Sequence, residues 1–116
     1  MENNIIVDKS FQFAVRIVNL YKYLTAQKKE YVLSKQVLKS GTSIGANVSE
    51  AIRGQSKADF TAKMSIALKE ASETNYWLRL LSETEYITDE QRESLLSDLA
   101  ELISLLTAIC KTSAAG

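Results

Sequence analysis

Few side chains in this sequence could perform acid–base or metal chemistry. The chain contains no histidine, the residue that most often serves as general acid, general base or metal ligand. The carboxylates of Glu70, Glu73 and Glu101 could meet inside a helical bundle, but solvated surface positions are the simpler interpretation. No phosphate-binding loop, dinucleotide fingerprint, serine-nucleophile motif or Cys/His zinc cluster occurs. We therefore predict a non-enzymatic protein with no catalytic residues, no metal site and no cofactor.

The charged residues divide unevenly along the chain, although the formal net charge is zero. Residues 9–63 contain ten Lys and Arg against three acidic residues, whereas residues 64–116 contain nine acidic residues against four basic ones. The basic half could face an anionic partner such as nucleic acid. Alternatively, opposite halves of neighbouring copies could complement each other in a ring, or both faces could simply be solvated. The candidate nucleic-acid contacts are Lys35, Lys39, Arg53 and Lys57.

The most distinctive stretch, residues 31–54, has the apolar spacing of one amphipathic helix. Gly41 and Gly45 lie one turn apart within it. Because each interior glycine costs a helix about 1 kcal/mol relative to alanine, a neighbouring helix that approaches the backbone closely is the simplest explanation for the pair. A loop broken at the two glycines is the alternative.

Two polar residues follow the glycines on the same predicted helix. An asparagine on an inner helix face often fixes the register of packing, and we assign that role to Asn47. Glu50 stands close enough along the helix to Asn47 and Arg53 for local pairing. Contact with a ligand is the alternative for both residues, and we favour the structural roles.

Apolar periodicity and capping residues predict four helices in a single domain of residues 1–116. Asp8, Ser56 and Thr88 stand where N-caps belong, and Gly54 stands where a C-terminal cap glycine belongs. The absence of proline and the scarcity of glycine favour long helices over a sheet. Short joins then give an all-α, antiparallel up-and-down four-helix bundle. The predicted helices cover about residues 9–26, 31–54, 57–85 and 89–111, with residues 1–7 as a lead-in and a frayed tail.

Two segments carry more apolar surface than a monomeric bundle can bury. Helix one has one apolar face containing Phe13 and Ile17 and an adjoining one containing Phe11, Val15 and Val18, among others. The end of helix three, residues 76–81, is apolar nearly all round. We therefore predict a homo-oligomer, and a wholly monomeric bundle is the alternative. The candidate packing or oligomer residues are Gly41, Gly45, Asn47, Glu50 and Trp77.

Cysteine usage and hydropathy indicate the compartment. The one cysteine, Cys110, excludes an internal disulfide and is typical of a reducing, cytoplasmic environment. Its place on an apolar helix face favours a buried, inert thiol over a reactive one. No signal-peptide pattern opens the chain and no apolar run approaches the length of a membrane span, so we expect no membrane partner.

The central motif resembles that of a known family. The sequence combines Gln36, Lys39-Ser40, Ser43-Ile44, Asn47-Val48-Ser49-Glu50 and Ser56-x-x-Asp59-Phe60. This order resembles the 23S rRNA intervening-sequence proteins, small bacterial four-helix-bundle proteins, and the likeness covers about residues 9–110. Two positions depart from the family pattern. Ala51 replaces the glycine usual after Asn-x-x-Glu, and Lys39 replaces the usual arginine, which weakens any bidentate phosphate contact there.

The resemblance carries expectations about assembly and partners. It implies an up-and-down bundle that assembles as a homopentamer. It also implies kinship with the accessory variability determinant of diversity-generating retroelements, a basic pentameric barrel that works with nucleic acid and a reverse transcriptase. We therefore expect a bundle that scaffolds or binds RNA or a reverse-transcriptase-type protein. A protein–protein interaction module with no nucleic-acid role is the alternative.

Overall fold

Four long helices make up the fold. The computed structural model describes residues 2–115. Each helix packs against the next and α1 closes the bundle against α4, whereas α1 and α3, and α2 and α4, lie diagonally and have no Cα atoms within 8 Å of each other in the described residues. The arrangement is the all-α, up-and-down bundle predicted from periodicity, 45 Å long and about 20 Å across. The helices are α1 Glu2–Ala26, α2 Leu33–Ile52, α3 Lys57–Glu83 and α4 Asp89–Ala115.

Apolar rows at helical spacing form one core along the bundle axis. Every helix contributes side chains that are removed from water, and full burial of one such side chain stabilises the fold by about 1.5–3 kcal/mol. The largest fully buried residues include Phe13, Ile17 and Leu24 of α1, Val37 and Ile44 of α2, Met64, Leu78 and Leu81 of α3, and Leu99, Leu102 and Leu106 of α4.

The first helix begins at Glu2 rather than at Lys9. The predicted lead-in is therefore helical across its described residues, and Asp8 lies inside the helix instead of capping it. Ile6 explains the difference because it is fully buried and stands seven residues before Phe13, so the core-facing spacing continues toward the N-terminus. Met1 lies outside the described residues.

Helix α2 begins at Leu33 rather than at the predicted residue 31, and the turn that joins α1 to α2 explains the difference. Lys29 has a φ of 56°, which turns the chain sharply after α1. The Glu30 carboxylate then accepts hydrogen bonds from the backbone N–H groups of Val32, Leu33 and Ser34 at 3.2, 2.9 and 2.7 Å. Glu30 therefore caps α2 from within the turn.

Burial and hydrogen bonding act in opposite directions on Glu30. Removal of the side chain from water alone would raise its pKa, but the N–H groups of Leu33, Ser34 and Val32 all stabilise the ionised form, and the net effect lowers the pKa of Glu30. The carboxylate is therefore an ionised structural element of the turn.

The second turn differs from its prediction at Gly54. Helix α2 ends at Ile52 rather than at residue 54, and none of the glycines in the described chain has a positive φ, so Gly54 is not a left-handed cap. Its N–H bonds to the Ala51 carbonyl at 3.0 Å, which closes the helix without that conformation. Ser56 caps α3 as predicted, since its Oγ accepts from the Asp59 N–H at 3.1 Å.

The ends of α3 and α4 also differ from their predicted positions. Helix α3 ends at Glu83 rather than at residue 85, and Glu85 has a φ of 66°. The predicted capping box at Thr88 is confirmed: the Thr88 N–H donates to Gln91 Oε1 and the Gln91 N–H donates to Thr88 Oγ1. Helix α4 continues to Ala115 instead of ending near residue 111.

Candidate assembly and nucleic-acid surfaces

Helix α1 exposes an apolar row on the side away from the core. Phe11, Val15 and Val18 follow one another at steps of four and three residues, and Phe11 is 68% exposed. We call these three residues the α1 stripe. The next position of the same row, Lys22, is charged and exposed. The stripe is the excess apolar surface of helix one that the periodicity predicts.

A groove between α1 and α2 lies beside the α1 stripe. Small side chains of α2 form one wall of the groove, and α1, including Phe11, forms the other. The lining residues include Val7, Phe11 and Ala14 of α1 and Thr42, Gly45, Ala46 and Ser49 of α2.

The two glycines of α2 lie where α1 comes close. A Cβ added at Gly41 would lie 2.7 Å from Cγ1 of Ile17, and one added at Gly45 would lie 3.2 Å from the backbone oxygen of Ser10. Both distances are shorter than ordinary carbon contacts. The structure therefore places the glycines at the α1–α2 contact inside one chain, and the intact α2 helix overturns the alternative of a broken loop.

The polar residues after the glycines engage partners within the chain. Asn47 donates from Nδ2 to the backbone oxygen and to Oγ of Ser43, both at 2.9 Å. Glu50 forms an ion pair at 2.9 Å with Lys63 of α3, rather than with Arg53 or Asn47 as predicted. Glu50 thus links α2 to α3, a contact that only the tertiary packing reveals.

A smaller apolar patch lies near the end of α3, where exposed Lys69 and Glu73 separate it from Ile66. We call Tyr76 and Leu80 the α3 stripe; Tyr76 is 57% exposed and Leu80 is half-buried. Trp77 beside it is half-buried, donates from Nε1 to Glu73 at 3.1 Å, and meets the Tyr76 ring edge to face at 5.0 Å. The only tryptophan therefore lies at the margin of a solvent-exposed apolar surface.

The four predicted nucleic-acid contacts do not form one patch. Lys35 and Lys39 are exposed one turn apart near the start of α2, whereas Arg53 and Lys57 are exposed at its opposite end. The helix rise of 1.5 Å per residue separates Lys35 from Arg53 by about 27 Å. None of the four has an ion-pair partner among residues 5–115.

Three further lysines lie toward the same α1–α2 end of the bundle as Lys35 and Lys39. We call this cluster the basic tip: Lys22, Lys28, Lys29, Lys35 and Lys39. The only acidic residue between residues 22 and 39 is Glu30, whose carboxylate already accepts hydrogen bonds from backbone N–H groups. Lys22, Lys28 and Lys29 are not among the predicted contacts, although two adjacent lysines in a turn, Lys28 and Lys29, are a sequence signal for such a cluster.

The α3–α4 turn at the same end of the bundle is acidic. Residues 76–93 contain five carboxylates against two arginines, and Arg92 is already paired with Asp89 and Glu93 at 3.3 and 2.9 Å. Lys28 lines the same small pocket as Glu85 and Asp89, which shows that the two turns adjoin. One end of the bundle is therefore basic on one side and acidic on the other.

The described part of the chain contains no group of three or more His, Cys, Asp or Glu side chains that could hold a metal ion. Over the same residues, every buried side-chain nitrogen and oxygen has a hydrogen-bond partner. Among the described helices, none is long and apolar enough to cross a membrane.

Comparisons with known proteins agree on one family. The model of the 23S rRNA-intervening sequence proteins matches residues 2–108. A crystal structure of a protein of unknown function from the S23 ribosomal protein family of Bacteroides thetaiotaomicron is 60% identical, covers 96% of this chain and 99% of its own, and superposes with a TM-score of 0.94. None of the curated proteins matches the chain.

Proposed function

The chain belongs to the 23S rRNA-intervening sequence protein family, and from this premise we propose that it is a non-enzymatic, self-assembling helical bundle that scaffolds nucleic acid or a protein that handles it. The observation that carries the proposal is the exposed α1 stripe. A phenylalanine that remains 68% exposed at one end of a regular apolar row is typical of an association surface rather than of the surface of a monomeric protein.

We propose that the assembly is a ring of identical copies. Most soluble homo-oligomers have closed point-group symmetry, and a heterologous interface whose rotation closes produces a ring. The family resemblance makes five the copy number to test. The unpaired Cys110 fits a reducing cytoplasm, where we place the protein.

The basic tip supports the nucleic-acid half of the proposal. Its five lysines converge on one end of the bundle, and a ring of parallel copies would repeat the cluster around one rim. Lysines bind phosphates as point charges, and each contact releases counterions, so binding would weaken steeply with salt. RNA and a reverse-transcriptase-type protein are the partners we propose for this rim.

A second candidate function is a protein–protein interaction module with no nucleic-acid role. The observation that favours it is the acidic α3–α4 turn at the same end as the basic tip. In this case the lysines would pair only with acidic side chains of neighbouring copies.

Charge reversal separates the two candidates. The variant Lys35→Glu/Lys39→Glu alters the basic tip, and Arg53→Glu/Lys57→Glu makes the same change in charge at the far end of α2. We expect structured RNA to bind the wild type in a low-salt filter-binding titration. We expect the first variant to reduce the salt slope by about 2 while the oligomer persists, because about one unit is lost per phosphate contact.

Two other outcomes would change the assignment. A wild type that retains no RNA at low salt would remove the nucleic-acid half of the proposal. An oligomer that dissociates when Lys35 and Lys39 are reversed would favour the interaction module. The far-end variant shows whether any loss depends on the basic tip or on total charge alone.

A further inference from the structure

The α1–α2 turn exposes two adjacent apolar side chains within the basic tip. Tyr31 is 54% exposed and Val32 is 70% exposed. An extended chain spans at most about 3.6 Å per residue, so the Cα atom of Tyr31 lies within about 11 Å of that of Lys28 and about 14 Å of that of Lys35. Exposed lysines therefore lie close to the tyrosine both before and after it along the chain.

Hydrogen bonds on either side of Tyr31 keep it in this exposed position. The Glu30 N–H donates to the Leu24 carbonyl at 2.9 Å, and the Val32 N–H donates to the Glu30 carboxylate at 3.2 Å. The residue before Tyr31 is thus fixed to α1, and the residue after it is fixed within the turn. A side chain presented by a fixed backbone loses less conformational entropy on binding than one that must first be ordered.

The same hydrogen bonds determine which groups remain free to meet an anion. The N–H groups at the start of α2 already donate to the Glu30 carboxylate, so this helix N-terminus offers no phosphate site. None of the five lysines of the basic tip has an ion-pair partner among residues 5–115. Lys28 Nζ lies 6.0 Å from the centroid of the Tyr23 ring, and the lysine is still exposed. The charge offered to a partner is therefore that of the lysine side chains.

The acidic α3–α4 turn restricts which anionic partner can reach Tyr31. Lys28 shares a pocket with Glu85 and Asp89, so the two turns adjoin. A broad anionic membrane would face these carboxylates together with the lysines. A nucleic-acid duplex keeps its bases stacked on one another and offers no free base face. A single strand is narrow enough to follow the basic side alone, and its unpaired bases have free faces.

We propose that Tyr31 stacks on an unpaired base of single-stranded RNA while neighbouring lysines of the basic tip bind the adjacent phosphates. This inference rests on the proposed nucleic-acid function and narrows its partner to unpaired RNA. Each base is joined to a phosphate, so a base on the Tyr31 ring brings phosphates toward the lysines before and after it. Val32 adds apolar surface beside the ring but has no aromatic face. Because every base can stack, the contact selects unpaired RNA rather than a particular sequence.

Three variants of the turn test the stacking contact. Tyr31→Leu keeps an apolar side chain without the ring, Tyr31→Phe keeps the ring, and Val32→Thr replaces exposed apolar surface by a polar group of similar shape. The probes are a short RNA strand without self-complementarity and the duplex that it forms with its complement, both measured by fluorescence anisotropy at low salt. Tyr31→Phe and Val32→Thr are the matched controls and should bind both probes like the wild type.

We expect Tyr31→Leu to weaken binding of the single strand by about 5- to 150-fold for each base that it stacks. Its affinity for the duplex and the salt slope of binding should stay at the wild-type values, because all the lysines remain. A wild type that binds neither probe would overturn the proposed nucleic-acid function and this inference together. A Tyr31→Leu variant that binds the single strand as tightly as the wild type would overturn the stacking contact alone.

Two further measurements complete the test. Suppose that wild-type protein sediments with vesicles of phosphatidylserine and phosphatidylcholine, that Val32→Thr weakens this binding, and that Tyr31→Leu binds RNA normally. The turn would then be a membrane contact, and the inference would be overturned. Circular dichroism confirms that each variant is folded. If Tyr31→Leu unfolds, ultraviolet crosslinking of a bromouridine-containing strand to the wild type decides: crosslinks within residues 30–35 support the contact, and crosslinks only elsewhere overturn it.

Discussion

The Glu30 carboxylate accepts a hydrogen bond from the backbone N–H of Ser34 at 2.7 Å. In return, Ser34 donates from Oγ to the Glu30 carbonyl at 2.9 Å, and both residues are buried. Val32, at the N-cap position of α2, makes no capping bond with its own side chain. The first turn of α2 therefore depends on a charge supplied from the preceding turn.

We expect Glu30→Gln to lower the free energy of unfolding by about 0.5–2 kcal/mol near neutral pH, the usual contribution of a helix cap. Because hydrogen bonding lowers the pKa of Glu30 in the folded state, its stabilisation is present above the ordinary glutamate pKa of about 4.3 and is lost as the pH falls through the lower, folded-state value. Urea unfolding of both proteins should therefore show a difference that shrinks in acid.

The control for the cap is Glu101→Gln, which removes an exposed ion pair with Lys9. Such surface pairs contribute about 0–1 kcal/mol, so the control should lose less stability than Glu30→Gln near neutral pH. A Glu30→Gln deficit that stays constant into strong acid would contradict the role of the ionised carboxylate.

Gly41→Ala should destabilise the fold although alanine favours helix. The added methyl would lie 2.7 Å from Ile17 Cγ1 in the core, and overpacking of this kind costs about 1–3 kcal/mol against about 1 kcal/mol gained in helix propensity. In an Ile17→Ala background the same change should become neutral or stabilising. Chemical denaturation of the wild type, the two single variants and the double variant measures the coupling free energy between the two positions. If the two losses in unfolding free energy simply add, the close approach of Gly41 to Ile17 has no energetic effect.

The buried hydroxyls of Ser40 and Thr74 should show coupled energetics. They lie 2.9 Å apart between α2 and α3, and Thr74 Oγ1 also bonds to the Glu70 carbonyl at 2.8 Å. Ser40→Ala or Thr74→Val alone leaves a partner with fewer hydrogen bonds in the core and should cost about 1 kcal/mol or more. The double variant should lose clearly less than the sum of the singles. Equal and additive losses in thermal unfolding would contradict this pairing.

The fluorescence of Trp77 should change when copies of the chain assemble. Its indole is half-buried and lies at the margin of the α3 stripe, beside the exposed ring of Tyr76. If a neighbouring copy covers this surface in the assembly, Phe11→Asp, which damages the proposed association surface, should shift the tryptophan emission to longer wavelengths, and dilution of the wild type should reach the same spectrum. Identical spectra for the assembled wild type and Phe11→Asp would place the indole away from the interface.

Apolar periodicity is sufficient to predict the four helices because their core rows follow one spacing, as Phe13, Ile17 and Leu24 do on α1. The errors lie at the helix ends. The start of α2 depends on the positive φ of Lys29 and on the cap from Glu30, and no local motif indicates that a glutamate will turn back onto three N–H groups. Gly54, predicted as a cap glycine, does not have the positive φ that favours glycine at such a cap, but its N–H still bonds to the Ala51 carbonyl.

The candidate surfaces are only partly predictable from the sequence, because some of them depend on contacts between different helices and turns. The exposed α1 stripe follows from counting apolar arc on one helix, which a sequence permits. The distribution of charge over the folded surface requires the topology, because Lys28 and Glu85 come together only when two turns meet at one end. The pairing of Glu50 with Lys63 likewise depends on the packing of α2 on α3, and helical spacing alone pointed to Arg53.

The most direct test of the account is the mass of the wild-type protein in dilute solution. We predict a single species in light scattering whose mass is a multiple of the 12.9 kDa chain, with the fivefold multiple as the expected assembly. A species of 12.9 kDa that persists from high to low concentration would contradict the account, because the exposed α1 stripe would then be an ordinary solvated surface.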